Sequence, residues 1–408
     1  MKYELLNGHS AELLKKFPDN HFDSIVTDPP YLIGFLGKSW DAADNFQLDV
    51  YQECLRVLKP GGHILAFSAA RTYHHLAVTL EQAGFEIRDQ IMWIYSSGFP
   101  KSQDVGKSID KKAGIKHDYV DYHRDQDDTR SVSNNANAKN RHCKKCNKQL
   151  GTSNLQCNES PCPIKNPPIQ SEWAGWGTAL KPAHEPIALA RKPIKTSIAK
   201  NAQKWGTGAL NIDGCRVGDD VITTIIKQNK DNVRWYGDRA DGQDIPKEVD
   251  RQDNVGRFPS NVIGEIQEEY QKYFYCPKVS RKERHIGFDD PGAMFPGSRF
   301  DVYMPTADKT NPETTIKAVE EKLKDKGNNH PTVKPVELMK YLIKLVTPPG
   351  GKILDPFNGS GSTGMAAVEL GFEYVGIDLD EHYIDIATKR IDAWYKQTNP
   401  LQASGLFE

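Results

Sequence analysis

Five consecutive residues near the amino terminus carry groups that could hold a planar ring bearing an amine. They read Thr-Asp-Pro-Pro-Tyr from Thr27 to Tyr31, and they follow a short β-branched and apolar run that is typical of a buried strand. The adjacent prolines Pro29 and Pro30 fix φ twice and remove two N–H donors, so the backbone carbonyls here are stiff and not all consumed by a ladder. The Asp28 carboxylate lies beside them, next to an aromatic face. Hydrogen-bond acceptors that point in one direction beside an aromatic face could bind the exocyclic amine of a planar ring. The alternative is a plain turn after a strand, with no ligand.

A second group of residues, near the carboxyl terminus, has the spacing of a nucleotide-binding turn. Glycines at 359, 361 and 364 match G-x-G-x-x-G between a predicted strand and a predicted helix, and Asp378 ends the next strand 19 residues after Gly359. Such glycines permit a tight turn and close approach of the backbone to a ligand, and the distal acid is placed for ribose hydroxyls. Asp355 ends the preceding strand, where it suits a cationic ligand better than a pyrophosphate. This favours S-adenosylmethionine over NAD; a tight turn without a ligand is the alternative.

The elements around these two groups predict a parallel α/β sheet that is split along the chain. Short apolar strands alternate with helical patterns in the first hundred residues and again near the end, a pattern typical of parallel sheets. Between them the chain is polar and punctuated by Gly and Pro. We therefore predict one catalytic α/β domain in two parts, an inserted region and a frayed tail, with boundaries at 1–101, 102–327, 328–397 and 398–408.

Composition narrows the class of protein. The chain has 408 residues, of which 38% are hydrophobic and 26% charged, which allows two to three domains with an apolar core. No apolar run is long enough for a membrane span, and the first residues lack a signal-peptide pattern, so we expect a cytoplasmic protein.

The net charge is −1, yet residues 139–204 hold 12 Lys and Arg against 3 Asp and Glu. This basic segment indicates a polyanionic partner; solvated loop charges are the alternative.

Four cysteines in the middle region have the spacing C-x2-C-x10-C-x4-C. Four thiolates with such spacing in a reducing compartment suit a structural, tetrahedral zinc site. The alternative is a loop with reduced cysteines that bind no metal. The predicted ligands are Cys143, Cys146, Cys157 and Cys162.

Taken together, the two groups and their order resemble a known family. Asp-Pro-Pro-Tyr at 28–31 with Asp-Pro-Phe-x-Gly-Ser-Gly at 355–361 is similar to the DNA amino-methyltransferases, which methylate adenine at N6 or cytosine at N4. The order, with the proline element first, resembles their permuted beta class. Residues 328–335, Asn-Asn-His-Pro-Thr-Val-Lys-Pro, also look like a family element beside the cofactor, and 175–186 looks like the long recognition insert of phage-type members. His9 departs from the pattern, since the family usually has an acid there.

The resemblance implies a circularly permuted Rossmann-like sheet, with an inserted target-recognition domain that the cysteines predict to contain zinc. It also implies a site-specific DNA methyltransferase that transfers a methyl group from S-adenosylmethionine to the N6 amine of adenine in double-stranded DNA. The base must leave the helix stack before the protein can grip it. We expect Asp28 and the Pro29 carbonyl to accept hydrogen bonds from that amine, Pro30 to complete the stiff turn and Tyr31 to stack on the base. The implied cofactor residues are Asn7, Lys334, Asp355, Pro356, Phe357, Gly359, Ser360, Gly361 and Asp378.

Several alternatives stay open at this point. N4-cytosine methylation uses the same amine chemistry, and adenine is favoured because the family's adenine members usually begin the motif with Asp. Methyltransferases of RNA or of protein glutamine use a similar clamp but usually place the cofactor loop first. A Pro-Cys pair ending at Cys162 raises C5-cytosine methylation, but it lacks α/β context. A catalytically dead, zinc-containing DNA-binding protein is a further class. A homodimer and a cognate restriction endonuclease remain open as partners.

Overall fold

The computed structural model describes residues 3–33, 46–95, 102–113, 122–124, 141–143, 171–180, 183–226, 250–264, 279–288, 327–328, 330 and 332–400. The chain forms two compact units, one made of 1–96, 183–292 and 307–408, the other of 97–182 and 293–306. Among the described residues, no helix is both long and apolar enough to span a membrane.

Twelve strands lie in the described residues. They are β1 (Tyr3–Asn7), β2 (Phe22–Thr27), β3 (Leu58–Phe67), β4 (Glu86–Ile94), β5 (Tyr122–Arg124), β6 (Arg141–Cys143), β7 (His184–Arg191), β8 (Val217–Ile226), β9 (Asp250–Arg257), β10 (Val262–Gly264), β11 (Lys352–Asp355) and β12 (Glu373–Asp378).

Nine α-helices lie in the same described ranges. They are α1 (Ser10–Leu14), α2 (Leu48–Val57), α3 (Tyr73–Ala83), α4 (Val105–Lys112), α5 (Ile198–Trp205), α6 (Arg281–Arg284), α7 (Val336–Val346), α8 (Ser362–Glu369) and α9 (Glu381–Thr398).

The first unit is built on an eight-stranded sheet in the order β1-β12-β11-β2-β3-β7-β4-β10. All neighbours pair in parallel except β7, which runs antiparallel to both β3 and β4. Apolar clusters cover both faces, one including α7 and α8 and the other including α2 and α3. Strands buried on both faces read as continuous apolar runs, and β2 is buried along its whole length. The predicted α/β sheet is confirmed.

The middle of the chain contributes two strands to this sheet. β7 and β10 both belong to it, although they lie within the region 102–327 that we predict to be inserted. The crossover from β3 through α3 to β4 leaves a gap of one strand, and β7 fills it. The predicted domain boundaries themselves stay a prediction.

A bulge in β3 explains a Pro-Gly-Gly sequence within a strand. Helix α2 ends at Val57 and the chain continues directly into β3, although Pro-Gly-Gly usually marks a turn. The pairing with β2 shifts register there, and Gly61 has φ +81°. Asn201 Nδ2 and Thr207 Oγ1 both donate to the Pro60 carbonyl, at 2.8 and 2.6 Å. The carbonyl that the bulge removes from the ladder is thereby satisfied.

The described part of the second unit is small. β5 and β6 form a two-stranded antiparallel sheet, and α4 is capped by the Asp104 side chain, which accepts from Lys107 N. Residues 171–180 expose two indoles, Trp173 and Trp176, whose rings meet edge to face at 5.2 Å.

Candidate functional site

The pairing of β2 with β11 brings together the two sequence groups. Ile353 pairs with Ser24 and Leu354 with Ile25, so the parallel strands end side by side. Asp28 follows the end of β2 and Asp355 ends β11. Ligands of parallel α/β sheets bind at the carboxyl ends of the strands, so both acids lie at the functional edge.

A buried hydrogen bond ties these strand ends together. The Thr27 hydroxyl donates to Asp355 Oδ1 at 2.6 Å, and both residues are almost fully buried. The Thr363 hydroxyl donates to the other oxygen at 2.7 Å, and the Phe357 N–H to Oδ1 at 3.1 Å. Burial raises the pKa of Asp355 to about 6 even though these three donors lower it. The carboxylate thus anchors β2, the glycine turn and the start of α8 to one another.

Asp28 lies in a buried network with one cation and a second carboxylate. Lys334 Nζ is 2.5 Å from Asp28 Oδ2 and 3.5 Å from Glu185 Oε2. The Tyr31 hydroxyl is 2.8 Å from Asp28 Oδ1 and also 2.8 Å from Glu185 Oε2. A hydroxyl has one proton, so Tyr31 can donate to only one carboxylate at a time. We call Asp28, Tyr31, Glu185 and Lys334 the clamp network.

Aromatic rings surround the cation of this network. The Lys334 ammonium lies 4.8 Å from the centre of the Phe67 ring and 5.4 Å from that of Tyr31. Its side chain is only 5% exposed, against 16% for Asp28 and 21% for Glu185. Ring faces attract cations, so these two rings help to hold the ammonium at the end of β3.

Two carboxylates and one ammonium leave the clamp network with a net negative charge, and this affects its acid–base chemistry. Burial raises the pKa of Asp28, and the Glu185 charge adds to the effect against the lowering by Lys334. Burial lowers the pKa of Lys334, but Asp28 and Glu185 outweigh it and raise that pKa overall. Burial and both carboxylates hold the pKa of Tyr31 well above its usual range. Each of these three groups therefore binds its proton more tightly than it would in water, and Lys334 is charged.

The glycine turn is built by contacts that leave no room for side chains. Gly361 has φ +78°, and a Cβ there would lie 3.0 Å from the Ala387 Cβ of α9. At Gly359, with φ +50°, a Cβ would lie 2.8 Å from His330 Nε2. Burial lowers the pKa of His330 to about 3, so its ring is neutral against the turn. The turn therefore requires glycine both for its backbone angles and for close packing.

The end of β12 completes the other side of this turn. Asp378 Oδ2 accepts from the Gly359 N–H at 2.7 Å, and its Oδ1 accepts from Asp380 N at 3.0 Å. Burial raises the pKa of Asp378 to about 6. Asn7 Nδ2 donates to the carbonyls of Asp378 and Leu379, at 3.2 and 3.1 Å. These contacts fix the acid that we predict to face ribose hydroxyls.

The predicted site residues thus fall into two adjacent groups. Asp28, Tyr31 and Lys334 share the clamp network, with Pro29 buried and Pro30 half-buried beside them. The second group surrounds the glycine turn, where the Pro356 carbonyl accepts from Ser10 Oγ at 2.6 Å and the Ser360 hydroxyl from Arg390 at 3.0 Å. The Phe357 ring lies 6.2 Å from that of Tyr51. The contacts of Lys334 are with the clamp, and its predicted cofactor role remains a prediction.

The sequence gives no role in the site to Thr27 or to Glu185. Glu185 lies in β7, more than 150 residues from Asp28, and the sequence places it only within 175–186, the stretch that resembles a recognition insert. Thr27 directly precedes the Asp-Pro-Pro-Tyr motif, yet its role depends on the pairing partner of β2.

The zinc prediction falls largely outside the described residues. Cys146, Cys157 and Cys162 are not described, and only the backbone of Cys143 is. Within the described ranges, no group of three or more His, Cys, Asp or Glu could hold a metal ion. The described free cysteines Cys54 and Cys215 are buried.

Comparison with known proteins identifies the family. The family model for N6/N4-type methylases, described as DNA methylase, matches residues 22–389. The chain belongs to this DNA methylase family. The match begins at β2, ends within α9 and includes both groups of site residues except Asn7.

The similar curated proteins match over a short stretch. M2.DpnII of Streptococcus pneumoniae, a type II methyltransferase, is 46% identical over 67 residues, which are 16% of this chain and 25% of that protein. DNA adenine methyltransferase YhdJ of Escherichia coli K12 is 41% identical over 70 residues, 17% of this chain and 24% of that protein. The chain therefore spans about a quarter of the length of the curated relatives it matches.

Solved structures of DNA methylases align along most of the chain with low similarity. The M1.HpyAVI–SAM complex has a TM-score of 0.39 and 16% identity, covering 96% of this chain and 99% of its own. The PvuII DNA methyltransferase, which is cytosine-N4-specific, has a TM-score of 0.42 and 11% identity, covering 98% and 93%.

Removing the hydroxyl that joins β2 to Asp355 tests the connection between the two groups. Thr27→Val should lower the free energy of unfolding by about 1–3 kcal/mol, because a buried carboxylate loses a donor. Denaturant unfolding measures this loss. The exposed Thr196→Val is the matched control, which should change stability by less than about 0.5 kcal/mol. Equal effects of the two substitutions would contradict the anchoring role.

Because the pKa of Asp355 is raised, the free-energy cost of burying its charge should depend on pH. The folded protein holds this proton more tightly than the unfolded chain, so the free energy of unfolding should fall as pH rises from about 4 to about 6. Asp355→Asn removes this titration. The stability of the wild type relative to the variant should decline by about 3 kcal/mol over that interval.

Denaturant unfolding at several pH values measures this decline, with the exposed Asp385→Asn of α9 as the control for loss of one carboxylate. A difference between wild type and Asp355→Asn that does not change with pH would show that burial leaves this acid unperturbed.

Proposed function

We propose that this DNA methylase transfers a methyl group from S-adenosylmethionine to the exocyclic N6 amine of adenine in DNA. The observation that supports this most strongly is the adjacency of an acceptor cluster and a glycine turn at one sheet edge, tied by Thr27 and Asp355. A methyl donor and a methyl acceptor must meet in this way for a direct transfer. The relative M2.DpnII is a type II methyltransferase and YhdJ a DNA adenine methyltransferase, which supports the substrate assignment.

The clamp would act on the lone pair of the amine. An aromatic amine is a poor nucleophile because its lone pair is delocalised into the ring. Hydrogen bonds from the two amine hydrogens to the Asp28 carboxylate and the Pro29 carbonyl would localise that lone pair on nitrogen. Tyr31 would stack on the extruded base, and Pro30 would keep the carbonyls aligned. Positioning is then the main contribution of the protein.

The residues around the glycine turn fit the proposed cofactor. S-adenosylmethionine would supply a methyl group on a positively charged sulfur, which becomes neutral when the methyl leaves. The buried Asp355 provides negative charge beside the turn. Asp378 accepts backbone N–H groups, but a carboxylate has about four lone-pair sites, so it would keep capacity for a ribose hydroxyl. Gly359 and Gly361 would allow close approach of the ligand. The further predicted contacts are Asn7, Lys334, Pro356, Phe357 and Ser360.

Adenine is favoured over cytosine as the target. Both bases present an exocyclic amine, so the acceptors of the clamp suit either one. Asp28 begins the motif, as in the adenine members that the sequence resembles, and the relative YhdJ is a DNA adenine methyltransferase. N4-cytosine methylation is the second candidate because the PvuII enzyme, similar along the chain, is cytosine-N4-specific.

The organisation of the chain fits this proposal. The clamp strand β2 precedes the glycine-turn strand β11 by more than 300 residues, as a circular permutation of a Rossmann-like methyltransferase would require. The parts of residues 102–327 outside β7 and β10 would carry the target-recognition region, and the basic residues of segment 139–204 that lie outside β7 would face DNA. A cytoplasmic location, a homodimer and a cognate endonuclease belong to the same proposal.

Replacing the acid of the clamp tests the proposed chemistry. Asp28→Ala should lower methyl transfer to DNA by at least about a thousandfold, because the amine loses its charged acceptor. Binding of S-adenosylmethionine, measured by calorimetry, should change by less than about threefold. Transfer of labelled methyl groups measures turnover, and Asp385→Ala on the surface of α9 is the control. Unchanged turnover in Asp28→Ala would refute the assignment.

We also propose, from cysteine spacing alone, that the middle region binds one structural zinc ion. Native mass spectrometry should show one zinc per chain, and Cys146→Ser should lower this occupancy because a tetrahedral site loses a ligand. Cys215→Ala, outside the cluster, is the control. A folded, active protein without zinc would contradict the proposal.

A further inference from the structure

An ammonium group already occupies the acceptor that the proposed substrate amine needs. Lys334 Nζ lies 2.5 Å from Asp28 Oδ2, and the Tyr31 hydroxyl lies 2.8 Å from Asp28 Oδ1. Both oxygens of the clamp carboxylate are therefore engaged within the protein. Each oxygen keeps a further lone pair, but the ammonium offsets the charge of the carboxylate, so Asp28 is a stronger acceptor for an incoming amine when Lys334 moves away.

Glu185 is the acceptor to which this ammonium can move. It projects from β7, which pairs with β3, and its Oε2 lies 3.5 Å from Lys334 Nζ. A shift of less than about 1 Å would bring that pair to hydrogen-bond distance. The lysine would stay paired throughout, which avoids the cost of several kcal/mol for leaving a buried charge alone.

Within the described ranges, no third carboxylate lies within ion-pair distance of Lys334 for this exchange. Three further titratable groups interact with the clamp network: Tyr95, beside Glu185; Asp355, which contributes a charge effect from β11; and His330, which is affected by the Lys334 charge. Asp355 already accepts from three donors of the glycine turn and β2. Among the residues that the structure describes, Glu185 is thus the one carboxylate besides Asp28 that Lys334 contacts.

We propose that Glu185 is a positioning residue that draws Lys334 off Asp28 when the target amine binds. Lys334 then has two positions, one on Asp28 before the substrate arrives and one on Glu185 in the substrate complex. The exchange keeps the aromatic groups around Lys334 in place and frees Asp28 Oδ2 for the amine. This inference rests on the proposed function, since it requires an amine as the ligand of Asp28.

A set of single and double variants tests the exchange through kinetics. In Glu185→Gln, Lys334 keeps Asp28 as its charged partner, so the KM for DNA should rise and kcat/KM should fall about thirtyfold. Adding Lys334→Met to this variant removes the competing ammonium. The double variant should therefore recover about tenfold in kcat/KM relative to Glu185→Gln.

The pH profile provides a readout that a merely structural role would not move. Lys334→Met alone leaves Asp28 beside Glu185 without a cation, which raises the pKa of Asp28, so the acidic limb of kcat/KM should move to higher pH. Glu185→Gln removes a neighbouring negative charge and should move that limb to lower pH. The exposed ion pair of Glu12 and Lys15, 2.8 Å apart on α1, provides matched controls in Glu12→Gln, Lys15→Met and their combination.

The outcomes separate this inference from the proposed function. If the wild type transfers no methyl group to DNA, the proposed function fails, and the inference fails with it. If the wild type is active but the double variant is no faster than Glu185→Gln, Glu185 does not act through Lys334 and only the inference is overturned.

If the variants do not fold, a crystal structure of the wild type with bound DNA tests the exchange instead. We expect Lys334 Nζ within about 3.2 Å of Glu185 and the target amine on Asp28. Lys334 still on Asp28 beside a bound amine would overturn the exchange.

Discussion

The parallel pairing of β2 with β11 is the constraint on which the site depends. These strands are separated by more than 300 residues; Asp28 directly follows the end of β2, and Asp355 ends β11. Their pairing fixes the two acids at one edge, and the Thr27–Asp355 hydrogen bond fixes their relative height. Because the bond is buried, breaking it would leave a carboxylate without a donor, which is more costly than the loss of a surface contact. Fold stability and site geometry therefore depend on the same few atoms.

The second feature of this site is the burial of three ionisable acids. Asp28, Asp355 and Asp378 all have raised pKa values because burial disfavours their charged forms. Such acids are expensive for a fold unless donors surround them. Here the donors are the residues that define the site: Lys334 and Tyr31 for Asp28, threonine hydroxyls for Asp355 and backbone N–H groups for Asp378.

Local signals made part of this structure predictable. The glycine turn could be found because positive φ and close packing exclude side chains at Gly359 and Gly361, a constraint that is visible in the sequence itself. The strand before Asp28 could be found from its apolar and β-branched residues before two prolines, although the burial of its polar Asp23 and Ser24 could not. Lys334 was predicted as a cofactor contact, which stays a prediction, and its pairing with Asp28 had no signal in the sequence.

Topology explains what could not be predicted. The apolar run of β7 has the composition of a buried strand, but only the gap between β3 and β4 assigns it to the main sheet. That assignment is what brings Glu185 to the clamp, and no spacing rule connects residue 185 with residue 28. The strand bulge at Gly61 could not be predicted either, because Pro-Gly-Gly usually marks a turn. Here side chains from α5 and the loop after it donate hydrogen bonds to the Pro60 carbonyl, and Pro-Gly-Gly lies within a strand.

The central claim is that the carboxyl-terminal turn and the amino-terminal clamp form one centre for methyl transfer to an adenine amine. Long-read sequencing of plasmid DNA from a methylation-deficient host that expresses this chain tests it directly. We expect N6-methyladenine within one recurring sequence, absent from plasmid of the same host without the chain. Plasmid without any modified base, or with modification confined to cytosine, would contradict it.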